Sequence, residues 1–199
     1  METNRQKPQG FTLVELLVAM ALSLVVLTSV SSAFISQRKT YDAQEQVTEM
    51  TQGARAAMEI ITREVKLGGF NPVPGATMVG IPYSATQLEI HADLNGDGET
   101  DGAASGNDVN EEIIYTHDGA NFEIDRNAGS GNQVLAENIT AFTFDYLDVD
   151  GIATTTAADI RMIEIAITAR TAKPDPDYGG YRTYTLTSMV SPPNLAIGL

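Results

Sequence analysis

Residues 11–35 form an unbroken apolar run whose only formal charge is Glu15. A run of ~25 residues, rising ~1.5 Å per residue as a helix, can cross a bilayer core of ~30 Å. A short leader carrying Arg5 and Lys7 precedes the run, and Arg38 and Lys39 close it. An ordinary secretory signal has an apolar core of only about 7–15 residues followed by a small-residue cleavage site. The run here is longer and has no Ala-x-Ala-like exit. A plain membrane anchor fits the length but has no use for a carboxylate, which costs on the order of 2.5–3.5 kcal/mol at mid-bilayer and less near the interface. Glu15 therefore calls for a partner.

The segment Gly10-Phe11-Thr12-Leu13-Val14-Glu15 resembles the processing site of type IV prepilins and type II secretion pseudopilins. The resemblance implies that a membrane prepilin peptidase cuts between Gly10 and Phe11 and methylates the new amine of Phe11. Glu15 then becomes the fifth residue of the mature chain. A methylated amine stays cationic, so the Phe11 amine and the Glu15 carboxylate can neutralise each other within one subunit or between neighbours. Buried ion pairs are weak sources of stability but can fix register. In the family's filaments this glutamate is taken to draw an incoming subunit to the N-terminus of the one already placed.

Beyond the apolar run, Tyr41, Val47, Met50, Ala54, Met58, Ile61 and Val65 recur mostly at three- and four-residue steps, the spacing of one apolar stripe on a polar helix. No proline falls between Thr12 and Leu67, and Gly68-Gly69 followed by Pro72 marks the end. The spacing predicts a single helix of ~55 residues, ~80 Å long. Major pilins often carry a proline about twenty-two residues into the mature helix; Ser32 stands there in this chain.

From Thr77 onward the pattern changes to short alternating runs separated by Gly, Asn, Asp and Pro. Leu88 and Ile90, Ile113 and Tyr115, Phe122 and Ile124, and Phe142, Phe144 and Tyr146 alternate with polar neighbours, as half-buried strands do. Ile163, Ile165 and Ile167 continue the series, as do Tyr184, Leu186 and Val190 before Pro192-Pro193. Six or so strands are expected, forming a mostly antiparallel sheet packed on the Tyr41 to Val65 stripe. The resulting fold class is α+β and pilin-like. Residues 1–10 are the leader, 11–36 the membrane or filament-core half of the helix, 37–68 its amphipathic half, and 69–199 a β-rich periplasmic head.

The head contains Asp93-Leu94-Asn95-Gly96-Asp97-Gly98-Glu99-Thr100-Asp101-Gly102. Oxygen ligands at positions 1, 3, 5 and 9, with glycine at 6, match the first part of a calcium loop. Asp93, Asn95, Asp97 and Asp101 would supply side chains and Glu99 its backbone carbonyl, holding a structural Ca2+. Position 12 is Ala104, so closure of the shell needs Asp108, Glu111 or Glu112 to fold back. The competing reading is a solvated Asp/Asn/Gly turn. Asp148-Val149-Asp150-Gly151 reads as a turn.

The formal net charge is −14, and loss of a leader carrying Arg5, Lys7 and Glu2 makes the mature chain more acidic still. Such a surface repels nucleic acid, which is bound through basic patches. Without cysteine, disulfides, thiol chemistry and Cys-based zinc sites are excluded. His91 and His117 stand apart, and no Gly-x-Ser-x-Gly elbow, phosphate loop or His-Glu-x-x-His helix is present. The sequence carries no catalytic constellation.

Thr62-Arg63-Glu64-Val65-Lys66-Leu67-Gly68-Gly69-Phe70 resembles the helix-to-head junction of PilW-type minor pilins. The ending Met189-Val190-Ser191-Pro192-Pro193-Asn194-Leu195 resembles the ends of that group and of the J-type pseudopilins, with Pro193 in place of their usual arginine. These resemblances imply a minor pilin in the bacterial inner membrane, later built into a pilus at the cell surface, where it helps initiate assembly at the tip. Its partners would be other minor and major pilins, the prepilin peptidase and the inner-membrane assembly platform. A J-type pseudopilin of a secretion system and a membrane-tethered calcium-dependent adhesion module are the alternatives.

Overall fold

The computed structural model describes residues 10–73, 78–100 and 110–196; leader residues 1–9 and Asp101 of the acidic segment lie outside them. Helix α1 spans Leu13–Val65, 53 residues, close to the length read from the spacing. Leu67 N–H to Glu64 O (2.9 Å) and Gly68 N–H to Val65 O (3.0 Å) tighten its last turn into a 3-10 geometry. Gly69 then takes φ +81°, a conformation that glycine adopts without a Cβ clash. By internal contacts the chain divides into two compact units, Met1–Glu45 and Gln46–Leu199. The described part of the first is helix, with nearly every side chain exposed, Tyr41 among them at 68%.

In the second unit the helix is followed by β1 (Gln87–His91), β2 (Glu112–Asp118), β3 (Glu123–Asn127), β4 (Asn132–Glu137), β5 (Ile139–Leu147), β6 (Met162–Arg170) and β7 (Thr183–Val190), then a short α2 (Pro193–Ala196). All pairings are antiparallel. The strands make two sheets, a four-stranded one ordered β1-β2-β3-β4 and a three-stranded one ordered β5-β6-β7, where the sequence pointed to a single sheet. The physical reason lies at Asn138, whose φ of 60° separates β4 from β5. Asparagine is among the few non-glycine residues that tolerate this left-handed conformation. A bulge at Ile139/Ala141 follows it directly, so the chain leaves one sheet and enters the other within a few residues.

Register follows the apolar alternation. Leu88 faces Tyr115 and Ile90 faces Ile113; Phe142 faces Ile167 and Tyr146 faces Ile163; Ile167 faces Leu186. A one-residue slip would turn each of these sets to solvent. Both sheets and the helix positions Ala54, Ala57, Met58, Ile61 and Val65 share one buried cluster, in which Ile61, Val65, Leu88 and Ile163 are 0% exposed.

A polar bridge ties the helix to the first sheet. Arg126 grips Glu64 with two bonds, Nε to Oε2 at 3.1 Å and Nη2 to Oε1 at 2.9 Å. The hydroxyl of Tyr115, a fully buried residue, donates to the same Glu64 Oε2. Burial, reinforced by the bond to and charge of Glu64, pushes the Tyr115 phenol far above its ordinary value of 10.0. Burial also pushes Tyr146 up to about 12. Both phenols ionise in the unfolded chain before they do in the folded one. Their contribution is therefore intact below the ordinary value of 10.0 and declines as pH rises above it. Thermal melts of wild type should show stability falling from pH 10 toward 12, and Tyr115→Phe should show a shallower fall over the same interval. Parallel slopes would mean that Tyr115 does not govern the alkaline limb.

Candidate functional site

Gly10 and Phe11 precede the helix in irregular, exposed chain, Phe11 at 89% exposure. A Cβ added at Gly10 would meet nothing within 4 Å. Immediately after them, Thr12 and Glu15 cap the helix reciprocally. The Thr12 N–H and hydroxyl both donate to Glu15 Oε2 at 2.8 Å, and the Glu15 N–H donates to Thr12 Oγ1 at 3.2 Å. This is a capping box, in which a hydroxyl residue at the cap and a glutamate three residues on satisfy one another's free N–H groups. Thr12 O accepts the first helical bond, from Leu16 N at 3.2 Å.

The carboxylate of Glu15 thus has a task within a single chain, besides any task between chains. Its Thr-x-x-Glu signal was present in the sequence, but reading Glu15 only as a charge in search of a cation missed it. Both Thr12 bonds fall on Oε2, which leaves Oε1 to accept from another group. In the intact chain the Phe11 nitrogen is an uncharged amide.

Within the apolar run, the hydroxyls of Ser23, Thr28, Ser29 and Ser32 each donate to the carbonyl four residues earlier, at 2.7–2.9 Å. These bonds return side-chain polarity to the helix backbone, so the surface offered to its surroundings stays apolar. The apolar half of α1 has no buried residues, and the helix is long and apolar enough to cross a membrane.

In the head, the acidic segment connects β1 to β2. Asp93 is fully buried and receives Gly96 N–H on Oδ1 at 2.6 Å and Gly98 N–H on Oδ2 at 2.9 Å. Asp97 N–H donates to Asn95 Oδ1 at 2.8 Å, and Glu99 N–H donates to Asp97 Oδ1 at 2.9 Å. Gly96 and Gly98, at φ +84° and +87°, supply the left-handed turns. Of the three acids that could fold back, Glu111 does so: it is 1% exposed, and its Oε1 accepts from Leu94 N (2.8 Å) and Asn95 N (2.7 Å). Carboxylate oxygens of Asp93, Asp97 and Glu111 lie within 4.8 Å of one another. Glu112, by contrast, lies near Glu89 and His91, whose Nε2 is 2.8 Å from Glu89 Oε1. Asp101 and Asp108 lie outside the described residues.

His117 stands away from this group, with Nε2 3.1 Å from Ile139 O. The neighbouring Asp118 closes the β2–β3 hairpin by accepting from Ala120 N and Asn121 N. Asp148 likewise closes a turn, accepting from Asp150 N and Ile152 N at 2.9 Å. The Gly68-Gly69 junction and the Pro193-Asn194-Leu195 ending meet at the helix exit. A Cβ on Gly69 would sit 2.8 Å from Leu195 Cδ2 and 3.4 Å from Asn194 Cβ, which places the Pro-Asn-Leu ending against Gly68-Gly69.

A profile of the prokaryotic N-terminal methylation motif matches residues 5–31. The chain therefore carries the type IV pilin and pseudopilin signal, spanning Gly10, Phe11, Glu15 and most of the apolar run. The motif implies dealings with the pilin or pseudopilin assembly machinery, and with the long apolar helix it agrees with a membrane-anchored pilin. Among curated proteins, none matches the chain.

Proposed function

We propose that the chain is a minor pilin, a non-enzymatic subunit that enters the inner membrane by α1 and is then built into a type IV pilus, helping to start the filament at its tip. The observation that carries this reading is the methylation motif at residues 5–31, with an exposed Gly10-Phe11 pair set just before a helix capped by Glu15. Cleavage after Gly10 leaves the apolar helix on the mature chain and creates a cationic amine four residues from a carboxylate with a spare oxygen. Two subunits packed side by side can then exchange amine and carboxylate, which fixes their axial register as the apolar helix faces leave the lipid. Ser32, in place of a helix-bending proline, and the Gly68-Gly69 junction support a minor rather than a main-shaft role. The acidic surface makes direct DNA binding unfavourable.

The ending that packs on Gly69 also fits a J-type pseudopilin of a secretion system. Genes for other minor pilins beside this one favour the pilus, and genes for secretion-channel components favour the pseudopilus. Mass spectrometry of the protein from its native membrane tests the central claim. The expected N-terminus is methylated Phe11. A mature chain starting at unmodified Met1 would remove the assignment.

A further inference from the structure

We propose that Asp93, Asp97 and Glu111 form a calcium site that locks the connection between β1 and β2. The proposal stands on the head alone and is independent of the filament reading. A group of acidic side chains in a turn is common and proves little. Here a second observation points to a cation: among the described residues, Glu111 Oε2 is buried without any hydrogen-bond partner, on a side chain from a residue only 1% exposed. A buried carboxylate oxygen without a hydrogen-bond donor is costly to desolvate, and one oxygen each of Asp93 and Asp97 lies within 4.8 Å of a Glu111 carboxylate oxygen.

The geometry suits one ion. Calcium–oxygen distances of about 2.3–2.6 Å allow two ligands of one ion to lie at most ~4.6–5.2 Å apart, and the three carboxylate oxygens meet that limit at 4.8 Å. The backbone is already turned as such a loop requires, with the Gly98 N–H at the sixth position donating to Asp93 at the first (2.9 Å). Glu111 takes the closing role that Ala104 cannot, held in place by the Leu94 and Asn95 amides on Oε1. Asn95 and Glu99, on the same turn, can bring the oxygen count toward the six to eight that calcium takes. The donor set is all oxygen and acidic, which favours calcium over zinc. The Glu89–His91–Glu112 group nearby mixes nitrogen and oxygen, and its His91 Nε2 already contacts Glu89 Oε1 at 2.8 Å.

The test uses the full-length chain in detergent, stripped of metal with EGTA and titrated with calcium chloride by calorimetry and by thermal melting. One equivalent should bind with a dissociation constant at or below about 1 mM, the weak end for extracellular calcium modules, and raise the melting temperature. Asp97→Ala removes an exposed loop carboxylate, with its bond from Glu99 N–H, and should weaken binding at least about tenfold, since affinity follows ligand charge. Glu111→Gln keeps an oxygen for the two amides but gives up the charge. It should melt at or above wild type in EGTA, where the unpaired carboxylate is a burden, and below wild type in calcium. This crossing is not expected of a residue with a purely structural role. No heat and no melting shift up to about 10 mM calcium would overturn the site. So would binding unaffected by both variants yet abolished by Glu112→Gln, or a Glu111→Gln chain less stable than wild type in EGTA and in calcium alike.

Discussion

Gly80→Ala is expected to lower the melting temperature of the head by about 6–12 °C, from a loss of about 3 kcal/mol or more at ~2–4 °C per kcal/mol for a unit of this size. A Cβ built at Gly80 lies 2.2 Å from Gly69 N and 2.3 Å from Gly69 Cα. The opposing atoms are backbone and cannot rotate away as a side-chain tip can. Both backbones are also tied to one residue: Gly69 N–H donates to His91 O (2.9 Å), and His91 N–H donates to Gly80 O (2.8 Å). Relief of the clash must stretch this three-way connection or shift the helix exit, and forced overpacking of this kind typically costs about 1–3 kcal/mol even where side chains can adjust. Gly53→Ala is the control. Its Cβ would meet nothing within 4 Å, and in a helix interior the change should stabilise by about 0.5–1 kcal/mol. Circular dichroism melts of the full chain in detergent check both. A Gly80→Ala chain that melts with wild type would mean that the helix exit and the Gly80 backbone are not in contact.

The second large effect concerns filament entry. Glu15→Val should leave membrane insertion intact, because removing a charge from the span removes an insertion cost of up to about 2.5–3.5 kcal/mol. Incorporation into filaments should nevertheless fall about a hundredfold, the factor that corresponds to about 3 kcal/mol for a buried cation left without its anion. The capping box complicates this variant, since valine also removes the bonds to Thr12. Glu15→Gln separates the two contributions, because glutamine serves a capping box as glutamate does but cannot neutralise an amine. Both variants are expected to fail, as read by immunoblotting of sheared filaments against membrane fractions. Normal incorporation of Glu15→Gln with failure of Glu15→Val would assign the residue to helix capping and sink the ion-pair account.

These expectations draw unequally on what the sequence made legible. The helix could be read to within a few residues because its stripe at Met50, Ala54, Met58, Ile61 and Val65 is regular and two glycines end it. Six of the seven strands announced themselves by alternation; β4 did not, since its pattern runs exposed from Asn132 to Val134 and buries only Ala136. A strand that contributes one small residue to the core leaves little periodic signal. The split into two sheets hinged on one backbone dihedral at Asn138, and no side-chain pattern encodes where a strand changes partners. For the acidic loop, spacing marked Asp93, Asn95 and Asp97, but three acids competed to close it. The choice of Glu111 depends on how the β1–β2 connection returns on itself, a tertiary matter.

Strand order follows chain order in both sheets, and this has a bearing on how the head is made. A chain delivered from its N-terminus presents the helix face first, then each strand next to the one that will pair with it. Topologies of low contact order close small loops and fold fast. No strand has to wait for a partner from the far end of the chain, so the edge open to aberrant pairing at any moment is the one most recently delivered. The longest wait falls between β1 and β2, across the acidic connection, which makes that segment the point where chain delivery and folding can fall out of step.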